Sequence, residues 1–345
     1  MNKIIDLRSD TVTKPTEEMR KAMYEAEVGD DVFEEDPTVK RLEEKAAEIT
    51  GKESSLFVPS GTMANSIAVK ILTQEGDEVI VEERSHIYNF EVAHLSVISK
   101  VLPRPLPSNK GEIDIELIKK NIKKRKLHVA GTSLICLENT HNLWGGKIIS
   151  PEYVKEVYNI AKMNGLKVHI DGARIFNASV ALNKDVKEWA KYCDTVMFCL
   201  SKGLSCPIGS ILCGSKKLIE EARRVRKLLG GGMRQVGVIA ACGLIALEKM
   251  INRLKEDHEK AKKLAQGLYN LPGIKINPDD VETNIVIFEF NHPKLGIEEF
   301  LFELKLRNIL ALSISPSEIR MVTHKDVDFD DINKVIEECK KILKI

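Results

Sequence analysis

Asp194-Thr195-Val196-Met197-Phe198-Cys199-Leu200-Ser201-Lys202-Gly203 is the stretch from which the fold can be read. Val196 to Leu200 is an apolar run of strand length, suited to a strand buried on both faces of a parallel sheet. It ends in Ser201-Lys202-Gly203, which puts a lysine at the rim of that sheet. Open α/β sheets place their active crevice at this rim. A desolvated lysine there can lose its proton and form a Schiff base with an aldehyde; an isolated strand-end lysine ordinarily reaches into solvent.

About thirty residues upstream, Leu166-Lys167-Val168-His169-Ile170-Asp171-Gly172-Ala173-Arg174 is a second short strand that ends in charge. Asp171 then stands at the carboxyl end of its strand, as Lys202 does on its own. Two readings are open. One is a pyridoxal phosphate site, with the carboxylate on the protonated ring nitrogen and the lysine on the aldehyde carbon. The other is an Asp–Lys salt bridge at a sheet rim.

The chain has 345 residues, is 43% hydrophobic and carries a net charge of +1. That length supports a substantial core and two domains. Near neutrality argues against a protein held to nucleic acid or anionic membrane by bulk charge. No apolar run is long enough to span a bilayer, and Met1 to Asp10 lacks a signal-peptide core, so a cytoplasmic location is expected. Seven cysteines, an odd count in a large chain, fit a reducing compartment. Cys193, Cys199, Cys206 and Cys213 lack C-x-x-C spacing and read as small apolar residues, so no metal site is expected.

Working outward, Ser55 to Pro59 reads as a strand, Ser60-Gly61-Thr62 as a turn, and Met63 to Leu72 as a helix. Free N–H groups, two hydroxyls and the helix dipole converge there as an anion cradle, although Ser and Thr are also ordinary N-caps. The acid-rich Gly29 to Pro37 reads as a solvated loop. Further on, the expectations are a helix from Ser85-His86 to about Leu95, a strand over Val97 to Leu102, and a proline-rich loop from Pro103 to Gly111. Strands separated by helices imply a mostly parallel sheet with right-handed crossovers. A long helix from Met233 towards Leu271, apolar in its first half and charged in its second, joins two domains. The expected division is an arm over 1–14, a large α/β domain over 15–250 and a small C-terminal α+β domain over 251–345.

Several motifs, in order along the chain, now define a resemblance. They are Leu7-Arg8-Ser9-Asp10-Thr11-Val12-Thr13-Lys14-Pro15, Pro59-Ser60-Gly61-Thr62-Met63-Ala64-Asn65, Glu138-Asn139-Thr140-His141, His169 to Arg174, Ser201-Lys202-Gly203 and Gly231-Gly232-Met233-Arg234-Gln235. The ordered set resembles the threonine aldolases, in the β-eliminating lyase group of fold-type I pyridoxal phosphate enzymes. The resemblance implies that Lys202 holds the cofactor and Asp171 keeps its ring nitrogen protonated. It implies Arg174 on the ring's phenolic oxygen, Ser60, Gly61 and Thr62 on the phosphate, and His86 stacked on the ring face. His141 approaches the substrate hydroxyl, and Ser9 and Arg320 bind the substrate carboxylate. Arg234 reaches a neighbouring subunit's phosphate, which implies a homo-oligomer, a tetramer by resemblance, with sites at subunit interfaces.

The resemblance thus implies retro-aldol cleavage of L-threonine or L-allo-threonine to glycine and acetaldehyde, with His86, His141 or a water as base. The alternatives are another β-eliminating lyase of amino acids and a non-catalytic pyridoxal phosphate carrier. One departure is evident. Where the family has Asp-Asp-Val-Tyr-Gly, this chain has Asp30-Asp31-Val32-Phe33-Glu34, so a phenolic hydroxyl and a glycine are missing.

Overall fold

The alternating apolar strands assemble into one large sheet in the computed structural model, which describes residues 3–344. Residues 1, 2 and 345, the extremities of the expected arm and small domain, lie outside the described residues. The strands are β1 (Ser54–Val58), β2 (Glu78–Glu82), β3 (Leu102–Leu106), β4 (Thr132–Glu138), β5 (Lys167–Asp171), β6 (Thr195–Cys199) and β7 (Ser210–Gly214). Their order across the sheet is β1-β7-β6-β5-β4-β2-β3. β7 pairs antiparallel with both β1 and β6, and the remaining pairings are parallel. Helices cover both faces, so β2, β6 and β7 are buried along their whole length. Side chains at the helix starts fix where the crossovers turn: Asp36, Ser60, Ser150 and Ser215 each accept from a backbone N–H of the helix they precede.

The C-terminal part forms a second sheet from β8 (Ile274–Lys275), β9 (Ile285–Phe290), β10 (Leu312–Ser315) and β11 (Glu318–Val322), in the order β8-β9-β11-β10. Its core, built around Phe288, Phe300, Ile319 and Met321, is separate from that of the large sheet. The N-terminal segment belongs to this second core. Ile5 and Leu7 are buried in it, and Ile5–Asp6 pairs in parallel with Ile309–Leu310.

Four expectations are corrected. Leu102–Leu106 is a strand, whereas His94–Val97 is helical. Leu102 and Leu106 bond to the β2 side, so the missing N–H groups of Pro103 and Pro105 fall on the open edge, where prolines are tolerated. The helix opened by His86 stops at Asn89 and restarts at His94, because Val92 and Ala93 take positive φ values of 51° and 56°. The long helix is divided into Gly237–Ile245, a π-helical turn Ala246–Met250 and Leu254–Leu268. The acidic loop is not solvated throughout. Asp31 is buried against Arg226 at 2.7 Å, and buried Asp36 accepts from the N–H groups of Thr38, Val39 and Gly237.

Candidate active site

Parallel pairing of β5 with β6 sets Asp171 beside Met197, and Lys202 follows three residues after the end of β6. The Lys202 carbonyl accepts from Thr13 Oγ1 at 2.9 Å and from the Ser205 N–H at 2.8 Å, which fixes the backbone that carries the amine. Lys202, Asp171, His86 and the turn Ser60-Gly61-Thr62 line one cavity of about 190 Å³. The turn opens the helix Gly61–Leu72, with Ser60 Oγ accepting from the Met63 N–H. The two hydroxyl residues and the uncapped N–H groups of this first turn are therefore presented to the cavity.

Asn65, one turn further along the same helix, organises the floor. Its Nδ2 donates to Asp171 Oδ2 at 2.9 Å and to Glu91 Oε1 at 2.8 Å. Its Oδ1 accepts from His169 Nε2 at 3.0 Å, and His169 Nδ1 meets Thr195 Oγ1 at 2.9 Å. Burial pushes the His169 imidazole down to about 4, so it is neutral. The other oxygen of Asp171 accepts from the Ala173 N–H at 3.1 Å. Asp171 is thus a buried carboxylate oriented from two sides. Glu91 Oε1 also accepts from His86 Nδ1 at 2.8 Å, which leaves Nε2 of that ring free. Burial lowers the basicity of His86, but the bond to Glu91 and the nearby Asp171 charge outweigh it and raise the imidazole overall. His86, Glu91 and Asp171 place potential ligand atoms within 4.8 Å of one another. The Asn65 amide N–H groups bond both carboxylates here, which is the role a cation would otherwise fill.

A second group of polar side chains comes from the arm and the small sheet. On β11, Ile319 and Met321 face the small core, so Arg320 between them points the other way, towards the large domain. Arg320 Nη1 donates to Asn142 Oδ1 at 2.8 Å and Nη2 to the Arg8 carbonyl at 3.2 Å, while its buried Nε has no partner. Ser9 follows Arg8 directly, and its hydroxyl accepts from the Thr11 N–H at 3.2 Å. Burial, with Arg174 nearby, lowers the Arg320 guanidinium to about 10. Arg174 is itself buried and bonded to Asp10 through Nε at 2.8 Å and Nη2 at 2.7 Å.

Five of the expected residues lie outside the lining of the Lys202 cavity: Ser9, Arg174 and Arg320, placed as above, and His141 and Arg234. His141 is fully buried, with Nε2 on Glu82 Oε2 at 2.9 Å, and does not line the cavity of Lys202. Burial lowers its basicity, yet the charge of Glu138 and the bond to Glu82 raise it overall. Arg234 is exposed and pairs with Asp30 at 2.9 Å, also outside that cavity. Asp10, Asn65, Glu91 and Asn142 had no role in the sequence reading. Asp10 and Asn65 fall in the motifs that begin at Leu7 and Pro59, whereas Glu91 carries no local sequence signal.

The donor set fits pyridoxal phosphate. Gly61 leaves the cradle open, because a Cβ there would lie 2.9 Å from Cys199 Sγ. A helix N-terminus for phosphate, a buried carboxylate for a pyridinium and a lysine for an aldehyde all face one cavity. The mostly parallel sheet and this site define a fold-type I pyridoxal phosphate enzyme. The chain belongs to the β-eliminating lyase family, whose model matches residues 6–291. It is 46% identical over 334 residues to low-specificity L-threonine aldolase 1 of Arabidopsis thaliana, covering 95% of this chain and 93% of that one. It is 41% identical over 341 residues to low-specificity L-threonine aldolase of Escherichia coli strain K12, covering 99% of both. The solved Leishmania major threonine aldolase shares the fold, with a TM-score of 0.84 at 17% identity, over 98% of this chain and 99% of that one.

Proposed function

We propose that this protein cleaves L-threonine or L-allo-threonine to glycine and acetaldehyde by breaking the Cα–Cβ bond. The observation that carries this reading is Arg320. A carrier of the cofactor needs no substrate-carboxylate anchor, and Arg320, bonded to the Arg8 carbonyl and near Arg174, presents a buried Nε donor without a partner. Bound pyridoxal phosphate supplies a ring that accepts the electrons of the breaking bond. Lys202 would hold the cofactor through its side-chain amine. Asp171, oriented by Asn65 and the Ala173 N–H, keeps a proton on the ring nitrogen. Arg320 and Ser9 would hold the substrate carboxylate, which restricts rotation about the N–Cα bond and so orients the bond to be broken. His86 lines the cavity with Nε2 free, so it is the histidine assigned to the β-hydroxyl proton. His141, bonded to Glu82 outside that cavity, is not assigned this proton. The proposed organisation is an arm over 1–14, a large domain over 15–250, a small domain over 251–345, and a cytoplasmic homotetramer. Among the described residues, no helix is long and apolar enough to cross a membrane.

The test is product analysis with threonine and allo-threonine. Glycine and acetaldehyde are expected; 2-oxobutanoate and ammonia from threonine, or pyruvate and ammonia from an aromatic or sulfur amino acid, would identify another β-eliminating lyase, and no turnover of any of these a carrier. In Arg320→Ala the loss of one partner of a desolvated pair costs about 2–5 kcal/mol. That is roughly thirty- to several-thousand-fold in kcat/KM. Arg320→Lys should recover only part of it, since lysine restores the charge without the fork.

A further inference from the structure

We propose that Asp10 of the N-terminal arm is a positioning residue that aims the Arg174 guanidinium at the cofactor and allows Arg320 to stand beside it. The inference rests on the reading above, since it assigns Arg174 to the cofactor and Arg320 to the substrate carboxylate.

The geometry is specific at the level of atoms. Asp10 is fully buried and takes the Nε–Nη2 edge of Arg174 in a two-pronged pair, at 2.8 Å and 2.7 Å. The guanidinium is then fixed in plane and in rotation, and Nη1 is the nitrogen left for another acceptor. The carboxylate is held in turn by Asn284 Nδ2 at 3.2 Å, from the small domain. Asn284 Oδ1 accepts from Asn177 Nδ2 at 3.1 Å, from the helix that follows Arg174. Asp10 is thus clamped between the two domains, three residues before Thr13 bonds the Lys202 carbonyl.

Charge balance gives the second argument. Arg174, Arg320 and Lys202 converge on this corner, and the buried guanidinium of Arg174 and the half-buried one of Arg320 repel each other. Burial alone would raise the Asp10 carboxyl, but Arg174 and Lys202 hold it below the usual carboxylate range, so it is an anion at neutral pH. Without that anion the corner holds like charges in a low dielectric, and the cheapest relief is for a guanidinium to swing away. A purely structural ion pair would predict lost stability and nothing more. A positioning residue predicts an effect on the cofactor that runs through Arg174.

The experiment uses Asp10→Asn, Arg174→Lys and the double variant, each purified as holoenzyme. Cofactor retention on dilution is read by visible absorbance, alongside melting temperature and kcat/KM. In Asp10→Asn, retention should weaken by roughly tenfold or more and kcat/KM should fall further. In the Arg174→Lys background, adding Asp10→Asn should change retention by less than about twofold, because the residue it acts through is already gone. Additive effects on retention, or wild-type retention in Asp10→Asn, would overturn the proposal. Should Asp10→Asn fail to fold, Asp10→Glu replaces it. That variant keeps the charge but moves it by one methylene, and unaltered retention and turnover in it would equally overturn the proposal. Cofactor retention does not depend on which amino acid is cleaved. A wild type that holds cofactor but leaves threonine intact would therefore refute the proposed function while the Arg174 coupling still decides the role of Asp10.

Discussion

At Asp171 the function of one side chain depends on others far away in the sequence. Asn65 lies 106 residues before Asp171 and 26 before Glu91, and Asp10 lies 164 before Arg174. A strand-end Asp and a strand-end Lys were legible because an apolar run ending in charge is a local pattern. Their supporting partners were not, since nothing local links Asn65 to a carboxylate on another strand. His169 shows what that support demands. With the ring kept neutral by burial, Nε2 donates to Asn65 and Nδ1 is free to accept from the Thr195 hydroxyl. The folded-state value is about 4, against an ordinary 6.5. Between those two values the unfolded chain holds a proton that the folded chain lacks. Wild-type stability should therefore fall as pH drops from 6.5 towards 4 on account of this group, by up to about 1.4 kcal/mol per pH unit. His169→Gln lacks that titration, so it should be less stable near neutrality, with a gap to wild type that narrows as pH falls. Urea melts of both proteins across that range measure the gap, and a gap independent of pH would contradict a neutral, doubly bonded His169.

Among the elements, the cradle helix was the most legible and the edge strand the least. Ser60-Gly61-Thr62 between a strand and a helix announces a helix N-terminus by composition alone, and the structure starts the helix at Gly61. Leu102–Leu106 misled because prolines usually mark loops, and only the position at the sheet edge, a tertiary fact, permits them. The break at Val92 and Ala93 was equally hidden, since neither residue favours positive φ; it turns the buried Glu91 beneath His86. The cradle supplies its own prediction. A Cβ on Gly61 would stand 2.9 Å from Cys199 Sγ and 3.2 Å from Met197 Cε, both on the fully buried β6. The strand has no room to retreat, so the first helical turn must move instead. Gly61→Ala should lower stability by about 1–3 kcal/mol and weaken cofactor retention, because the N–H groups at the anion site move with that turn. Thermal melts with and without added pyridoxal phosphate separate the two effects. If the cofactor raised the melting temperature of the variant as much as that of wild type, the cradle would not be the phosphate site.

For the whole molecule, the proposed assembly accounts for surface features that a single chain leaves unexplained. Tyr24 is 91% exposed, Phe33 70% and Leu228 76%, large apolar side chains on a protein of balanced charge. Arg234 lies over the Phe33 ring at 5.9 Å and pairs with Asp30, but it is absent from the lining of its own chain's cavity. The loop before it is nonetheless tied to the cradle. A Cβ on Gly231 would strike Met63, in the first turn of the cradle helix. The Tyr-Gly of the resembling family falls here as Phe33-Glu34, and Glu34 takes a φ of 58° with its carboxylate 3.3 Å from Arg223. The substitution thus keeps the left-handed turn and exchanges a phenol for an apolar ring at the same exposed place. An exposed arginine beside an aromatic ring, carried on a glycine loop, is suited to a phosphate on a second copy of the chain. The expected outcome is a stable oligomer by sedimentation, with cofactor released as the oligomer dissociates on dilution. Arg234→Ala should then weaken cofactor retention while borohydride still tags Lys202 in the fraction that remains loaded. A monomer that holds its cofactor as tightly as any concentrated sample, with Arg234→Ala indistinguishable from it, would remove Arg234 from the site and leave its ion pair with Asp30 as its whole role.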